Sequence, residues 1–407
     1  MASSTRFCSV GGHERDHPEW PVSGLREAPH VGWRHCKLGS IHYSENRSNL
    51  AATQMKTDVL QVLQCPRCGT QLRLESIEEQ TEEIRHGTLS CTRNPRHRYA
   101  IEDGIIRFGT GFDHEAVQRE LAYEDSTYSG QDMLTDPQVI ANFPDSLERL
   151  WPHTRNFGPD FRRLIEELPR AHAQGWVLDV GTAACWSPRL LAERGWQVIA
   201  LDVTAADYYG LKAADIQFQA HNVYFERVLE SMTDLPMRDE CLDAITFNAS
   251  FHHTPDLKRT LQECFRVLKP KGVVAMVNEE FGSVRHRYLS RPKELTDTGS
   301  HHNISFTEFE ATVEATGFSS RYLVARHVQD RLRGMLSPVV GDCAVQTLEC
   351  FPALIKQLNS ALVILTKAGH ATVPSELREY AQILAPAMGS RAELEPANAL
   401  PSGAVPA

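Results

Sequence analysis

Three groups of residues have the types and spacings that chemistry requires. The first is Cys65-Pro-Arg-Cys68, followed after 22 intervening residues by Cys91 and, after five more intervening residues, by His97. Two thiolates on one tight turn fill two corners of a zinc tetrahedron, and a Cys/His pair brought alongside closes it. His86 competes with His97 for the fourth corner, and the alternative to a metal is a redox pair or plain buried thiols. A closed four-ligand site is structural rather than catalytic. The second group is Asp179-Val-Gly181-Thr-Ala183-Ala-Cys185, with Asp202 beyond it. Small residues in such a turn let a ligand approach the backbone. A carboxylate about 20 residues on can accept both hydroxyls of a ribose. The plain alternatives are that Asp202 caps a strand end and that Asp179 bonds its own loop. The third group is Asn248, His252 and His253, with Glu279 and Glu280 further along. A histidine titrates near neutrality and can serve as a general base, though packing beneath a loop suits one of the pair equally well.

These groups need elements to hold them. The apolar runs WVLDV (176–180), QVIALDV (197–203), LDAITF (242–247) and GVVAMVN (272–278) alternate with helical patterns such as Arg189–Arg194 and Leu257–Leu268. That alternation predicts a parallel sheet covered on both faces. The small-residue turn then joins a strand ending at Asp179 to a helix with Ser187 as N-cap, Pro188 at its first position and Gly195 after its end. Asp202 closes the second strand. Residues 318–328 and 361–367 read as late edge strands, 329–357 as an inserted helical cap, Phe161–Leu168 and Phe306–Thr316 as helices. His301, His302 and Asn303 stand before the last of these. RYAIEDGIIRF (98–108) reads as a hairpin about Asp103-Gly104. The unit 55–110 is too small to bury much core, so a metal is a plausible folding device.

The chain has 407 residues, more than one ordinary core needs, and 42% hydrophobic against 23% charged residues excludes wholesale disorder. With 42 Lys+Arg against 52 Asp+Glu the net charge is −10, which argues against gripping long phosphate backbones by bulk charge. Ten cysteines are too few for a disulfide scaffold. No apolar run suffices to span a membrane and none forms a secretory signal, so a cytoplasmic address is expected. Residues 1–54 show no periodicity, and their Cys8, His13, His17, His35 and Cys36 match no metal spacing. That stretch is expected to be a disordered extension or the product of a misplaced start codon, since Met55 opens a natural-looking start. The tail 371–407 is expected to fray.

Residues 55–110 resemble the Trm112-like zinc ribbons found ahead of bacterial methyltransferases, on CPRCGTQLRL, a lone cysteine after a charged loop, and YAIEDGIIRF. The ribbons usually carry a second CxxC where this chain has Cys91-Thr-Arg-Asn94. Residues 171–285 closely, and the chain to 367 loosely, resemble class I S-adenosylmethionine-dependent methyltransferases of the type 11 kind. The likeness rests on WVLDVGTAACWSPRLLAERGWQVIALDV (176–203) and LPMRDECLDAITFNASFHHTPDLKRTLQECFRVLKPKG (235–272). The Arg-Val-Leu-Lys-Pro-x-Gly run and the paired histidines set aside a Rossmann dehydrogenase.

The resemblance implies an α/β, Rossmann-like sheet with helices on both faces (171–370), preceded by a small zinc-ribbon-like β domain and a partly helical linker (111–170). It implies S-adenosylmethionine bound by Asp179, Gly181, Ala183, Asp202, Val203, Ser231, Met232 and Asn248. Asp179 and Gly181 frame the methionine end, Asp202 holds the ribose, and His253 or His252 is the catalytic candidate. Two departures stand out. Only the first glycine of the family's Gly-x-Gly-x-Gly turn survives, and the acid that meets the adenine amino group is replaced by Ser231, with Glu230 beside it. The expected function is methyl transfer to an O or N atom of a small molecule. One alternative is a 23S rRNA guanine-type enzyme that uses Arg93, Arg96 and Arg98 on phosphate. The eight Lys/Arg and eight Asp/Glu of residues 55–110 and the scarcity of stacking aromatics oppose it. The other is a degenerate, non-catalytic fold serving as an interaction module.

Overall fold

The structure, a computed structural model, describes residues 58–80, 83–109, 135–169, 175–279, 304–357 and 361–368. The expectations for residues 1–54, Glu280, His301, His302, Asn303 and 371–407 lie outside them. The first elements are β1 (Leu72–Gln80), β2 (Glu83–Cys91), β3 (Arg98–Glu102) and β4 (Ile105–Arg107), followed by α1 (Pro137–Ala141), α2 (Leu147–Leu150) and α3 (Phe157–Glu167). Next come β5 (Trp176–Val180), α4 (Trp186–Glu193), β6 (Gln197–Asp202), α5 (Ala214–His221), β7 (Glu226–Leu229), β8 (Leu242–Asn248), α6 (Leu257–Val267) and β9 (Leu268–Val277). The last are α7 (Phe306–Thr316), β10 (Phe318–Val324), α8 (Arg326–Met335), α9 (Pro338–Glu349), α10 (Pro352–Gln357) and β11 (Ala361–Lys367).

All eleven strands join one sheet in the order β1-β2-β3-β4-β7-β6-β5-β8-β9-β11-β10. From β4 through β9 neighbours run parallel, while β11 is antiparallel to both β9 and β10. Counted from Trp176, the order is 3-2-1-4-5-7-6, the Rossmann-like class I methyltransferase sheet that the resemblance implies. Its switch point lies between β5 and β8, where open α/β sheets take ligands at their carboxyl edge.

The strands obey a period of two. Leu178, Ile199, Leu201, Ile245, Phe247, Val274 and Met276 face one core with α6 and α7. Val177, Val198, Ala200, Ala244, Val273 and Ala275 face the other, with α1 to α5. Residues 135–169 therefore do more than link. Phe143 and Phe161 are buried to 1% and 0% exposure against the sheet, each contributing roughly 2–3 kcal/mol.

The two late strands differ from expectation. β11 is an interior strand, buried along nearly its whole length, and only β10, with Ser319, Ser320 and Arg321 exposed, is an edge. Residues 326–328, expected in a strand, begin α8 instead. The cap predicted over 329–357 is helical and is inserted between β10 and β11. It is tied down by buried Asp160 of α3, whose carboxylate accepts the His327 backbone N–H at 2.9 Å and pairs with its Nδ1 at 2.6 Å.

The 55–110 unit shares the sheet. Its hairpin turns on Asp103 (φ +53°) and Gly104 (φ +71°), the left-handed pair that a two-residue loop favours. β4 then lies beside β7, with Ile105, Ile106 and Arg107 opposite Arg227, Val228 and Leu229. Leu229 O also accepts from the N–H groups of Phe108 and Gly109. On the neighbouring loop, Gln64 N donates to Pro236 O at 2.9 Å and Arg238 N to Val62 O at 2.8 Å. Arg85 of β2 pairs bidentately with Asp215 of α5 at 3.0 and 3.1 Å. The same carboxylate takes the fully buried Arg227 at 2.9 Å, which is how a charged residue fits inside β7. All described residues fall in one compact unit.

Candidate cofactor site and metal centre

The first chemical group assembles from two loops. The Cys65 turn closes with Cys68 N and Gly69 N donating to Cys65 O at 3.2 and 2.8 Å. The second loop returns on itself, with Cys91 N donating to His97 O at 3.0 Å. Cys65 Sγ lies 3.4 Å from His97 Nδ1, and Cys68 Sγ lies 3.4 Å from Cys91 Sγ and 3.7 Å from the same nitrogen. The four ligand atoms all fall within 4.8 Å of one another. His86, the rival fourth ligand, is exposed on β2 outside this cluster. Hydroxyls of Tyr99 and Thr70 sit 3.1 and 2.9 Å from the Cys65 and Cys91 sulfurs, and Asn94 N donates to Cys91 Sγ at 3.4 Å. Donors aimed at sulfur suit thiolates, and three thiolates with one imidazole suit zinc.

The second group lies at the carboxyl edge of β5 and β6. Gly181, Ala183 and Cys185 all adopt left-handed backbone, at φ +71°, +43° and +58°. The turn thus keeps a glycine-type path although only its first glycine remains. Glycine is required there, because a Cβ on Gly181 would stand 2.4 Å from Ser250 Cβ. Alanine at 183 carries the ordinary left-handed penalty of about 1–2 kcal/mol. Ala183→Gly is therefore expected to raise stability by roughly 0.5–1 kcal/mol after the unfolded-state entropy of glycine is counted. Chemical denaturation measures it, and a loss of stability would refute the strain.

α4 begins at Trp186 with buried, left-handed Cys185 in the N-cap place, not at Ser187. The Ser187 hydroxyl is drawn off to Asp179 Oδ2 at 2.6 Å, and Thr246 Oγ1 donates to Asp179 Oδ1, also at 2.6 Å. Asp179 thereby ties β5 to α4 and β8, and both of its oxygens are taken by these elements rather than by the loop that follows it. Burial is the main cause that lifts its carboxyl to about 7, against those hydroxyl donors and helped by the Asp202 charge. Asp202, 7% exposed, accepts the Ala183 N–H on Oδ2 and the Thr204 N–H on Oδ1, both at 3.1 Å. Burial raises it to about 6 against those backbone donors.

Half-buried Val203 follows directly. On the adenine side Ser231 is buried and Met232 half-buried. Ser231 Oγ accepts the Thr233 N–H at 3.2 Å, and Ser231 N donates to the fully buried Glu230 at 2.8 Å.

The third group closes the same edge. Asn248 Oδ1 accepts from Asn278 Nδ2 at 2.8 Å. Ser250 Oγ donates to Val180 O at 2.6 Å, fastening the loop after β8 to the cofactor turn. His252 is buried, and its ring lies 4.3 Å from that of half-buried His253. Glu279 points into the loop that carries His252. Sequence patterns gave Ser250, Asn278 and Glu279 no such roles, because each acts through a contact across 27 to 70 residues of chain.

Residues 178–276 match the methyltransferase domain family. The match runs from within β5 to within β9 and so contains Asp179, Asp202, Ser231, Asn248 and both histidines. Among curated relatives, malonyl-acyl-carrier-protein O-methyltransferase 1 of Coxiella burnetii is 33% identical over 164 residues, 40% of this chain and 46% of that one. Ubiquinone biosynthesis O-methyltransferase of Histophilus somni is 25% identical over 158 residues, 36% of this chain and 66% of that one. The chain spans about half the length of the first curated relatives it matches. Among solved structures, the YcgJ protein of Bacillus subtilis aligns over 51% of this chain and 98% of its own at 18% identity, with a TM-score of 0.38. Within the matched stretch, the surviving glycine, the two aspartates and the paired histidines converge on one sheet edge. No described helix is long and apolar enough to cross a membrane.

Proposed function

We propose that this chain transfers a methyl group from S-adenosylmethionine to an oxygen or nitrogen of a small-molecule acceptor, and that Cys65, Cys68, Cys91 and His97 hold a structural zinc in a Trm112-like ribbon. The observation that carries this reading is the convergence of Gly181, Asp202 and His252 at the carboxyl edge of a class I sheet whose core matches the methyltransferase domain. The two relatives named as O-methyltransferases favour oxygen as the acceptor atom.

When bound, the cofactor supplies a methyl group on a positively charged sulfur, open to in-line displacement, so positioning does most of the catalytic work. Asp202 accepts the ribose hydroxyls while still pinning Ala183 N–H. Gly181 and its neighbours admit the methionine end, and Ser231, Met232 and Asn248 complete the walls. Two buried carboxylates within one edge favour a cation, which meets the fit this cofactor requires.

A pH dependence follows. Folded-state values of about 7 for Asp179 and about 6 for Asp202 lie above the ordinary 3.8. These acids therefore reduce ligand-free stability as pH climbs from about 4 to about 7. A cationic ligand with hydroxyl donors favours their ionised forms, so binding releases protons. Affinity for S-adenosylmethionine is expected to rise between pH 5 and about 7.5, with proton release visible when calorimetry is repeated in buffers of different ionisation enthalpy. Proton uptake, or a flat profile, would overturn it.

The direct test titrates the full chain with S-adenosylmethionine and S-adenosylhomocysteine by calorimetry, with metal content measured on the same sample. Micromolar binding of both supports the reading; no binding by a folded, zinc-loaded sample refutes it. Activity that survives ribonuclease, and binding insensitive to salt, separates a small-molecule acceptor from the ribosomal RNA alternative.

A further inference from the structure

We infer that Glu279 is the positioning residue that sets His252 as a general base, an assignment that rests on the methyltransferase reading and deepens it. Glu279 stands just beyond the end of β9, and its side chain is 1% exposed. Oε1 accepts the backbone N–H groups of Ser250 and Phe251 at 2.9 and 3.0 Å. Oε2 accepts the His252 backbone N–H at 3.1 Å and lies 2.8 Å from its Nδ1. One carboxylate thus gathers three consecutive backbone donors and one ring nitrogen of a single 3-10 turn.

With both oxygens already receiving N–H groups, the carboxylate is an acceptor and Nδ1 must donate. The ring proton is then held on Nδ1, and Nε2 becomes the nitrogen with the lone pair. A buried carboxylate fixing a histidine tautomer is the arrangement that makes imidazole an effective base and steadies the imidazolium that forms. The turn is also held in register with the cofactor edge. Ser250 is fastened to Val180 as described, and Ala249 (φ +52°) and Asn278 (φ +60°) take up left-handed backbone on either side. Such strain gathers at sites whose surroundings over-determine them.

In the step itself, an acceptor O–H or N–H gives its proton to His252 Nε2 as its own electron pair forms the new bond to the methyl carbon. The carbon–sulfur bond breaks with its pair going to sulfur, and the imidazolium remains paired with Glu279.

Capping alone is the competing role, since the three backbone contacts would suffice for a structural turn. The tautomer separates the two. In two-bond proton–nitrogen spectra of the full chain carrying labelled histidine, with His252 assigned by His252→Gln, the wild type is expected to show the Nδ1–H form at pH 8. Glu279→Gln presents an amide NH2 to the ring and is expected to convert His252 to the Nε2–H form, while affinity for S-adenosylhomocysteine stays within about threefold. An Nε2–H form in the wild type, or an unchanged tautomer in a folded Glu279→Gln, overturns the assignment. If Glu279→Gln does not fold, the wild-type spectrum alone decides between these outcomes. Failure of both proteins to bind S-adenosylhomocysteine would count against the methyltransferase reading and leave the tautomer result standing.

Discussion

Removing the zinc proposed at Cys65, Cys68, Cys91 and His97, or replacing Cys68 by serine, is expected to unfold far more than the proposed ribbon. Structural zinc supplies on the order of 10 kcal/mol to small modules, while an ordinary domain is stable by only about 5–15 kcal/mol. In an independently folded ribbon that loss would be local. Here β4 is hydrogen-bonded along β7, and Val59, Val62, Leu63 and Tyr99 pack into the same core as Leu178, Leu235 and Met237. Thermal unfolding of the full chain with and without a strong chelator should therefore show one transition moving down together, by 10 °C or more (roughly, from stabilities of this order). Cys68→Ser should reproduce it. A purified chain with no stoichiometric metal and a melting temperature indifferent to chelator would sink the structural-zinc reading.

Asp202→Ala should separate binding from folding. Charge-assisted hydrogen bonds contribute about 1.5–3 kcal/mol, so S-adenosylmethionine should bind roughly 10- to 150-fold more weakly, as calorimetry would register. Folding should hardly change at neutral pH. The shift of the carboxyl from 3.8 to about 6 means that burial outweighs the backbone donors and disfavours its charge by a net amount on the order of 3 kcal/mol. Relief of that penalty offsets the loss of acceptors for Ala183 N–H and Thr204 N–H, roughly 1–3 kcal/mol. Unchanged affinity would show that Asp202 only closes the turn.

Much of this was legible in the residues themselves. The runs that became β5, β6, β8 and β9 are apolar on both faces, and buried parallel strands leave that imprint. The Asp103-Gly104 turn and the cysteine spacings are local features and read true as geometry. What stayed hidden depends on distant partners. β7 contains Glu226 and Arg227 and looks polar until Asp215 arrives from α5. β11 looked like an edge because the order of the last antiparallel pair is a property of the whole sheet. Ser187 looked like an N-cap because its pull toward Asp179 is tertiary. Glu279 carried no local signal of its role because its burial comes from a loop 27 residues away folding back on it.

The parallel seam between β4 and β7 has a consequence for solubility. A sheet that ended at β7 would offer the backbone of Glu226–Leu229 as a template for another copy. In the intact chain that template is occupied in cis, and the sheet terminates at β1. The β1–β2 ladder slips register between Leu74 and Ser76 and again between Glu78 and Glu79. Such irregularities twist a margin and discourage recruitment of foreign strands. The N-terminal strands thus exchange a regular, adhesive border for a warped one, a margin less suited to recruiting another copy.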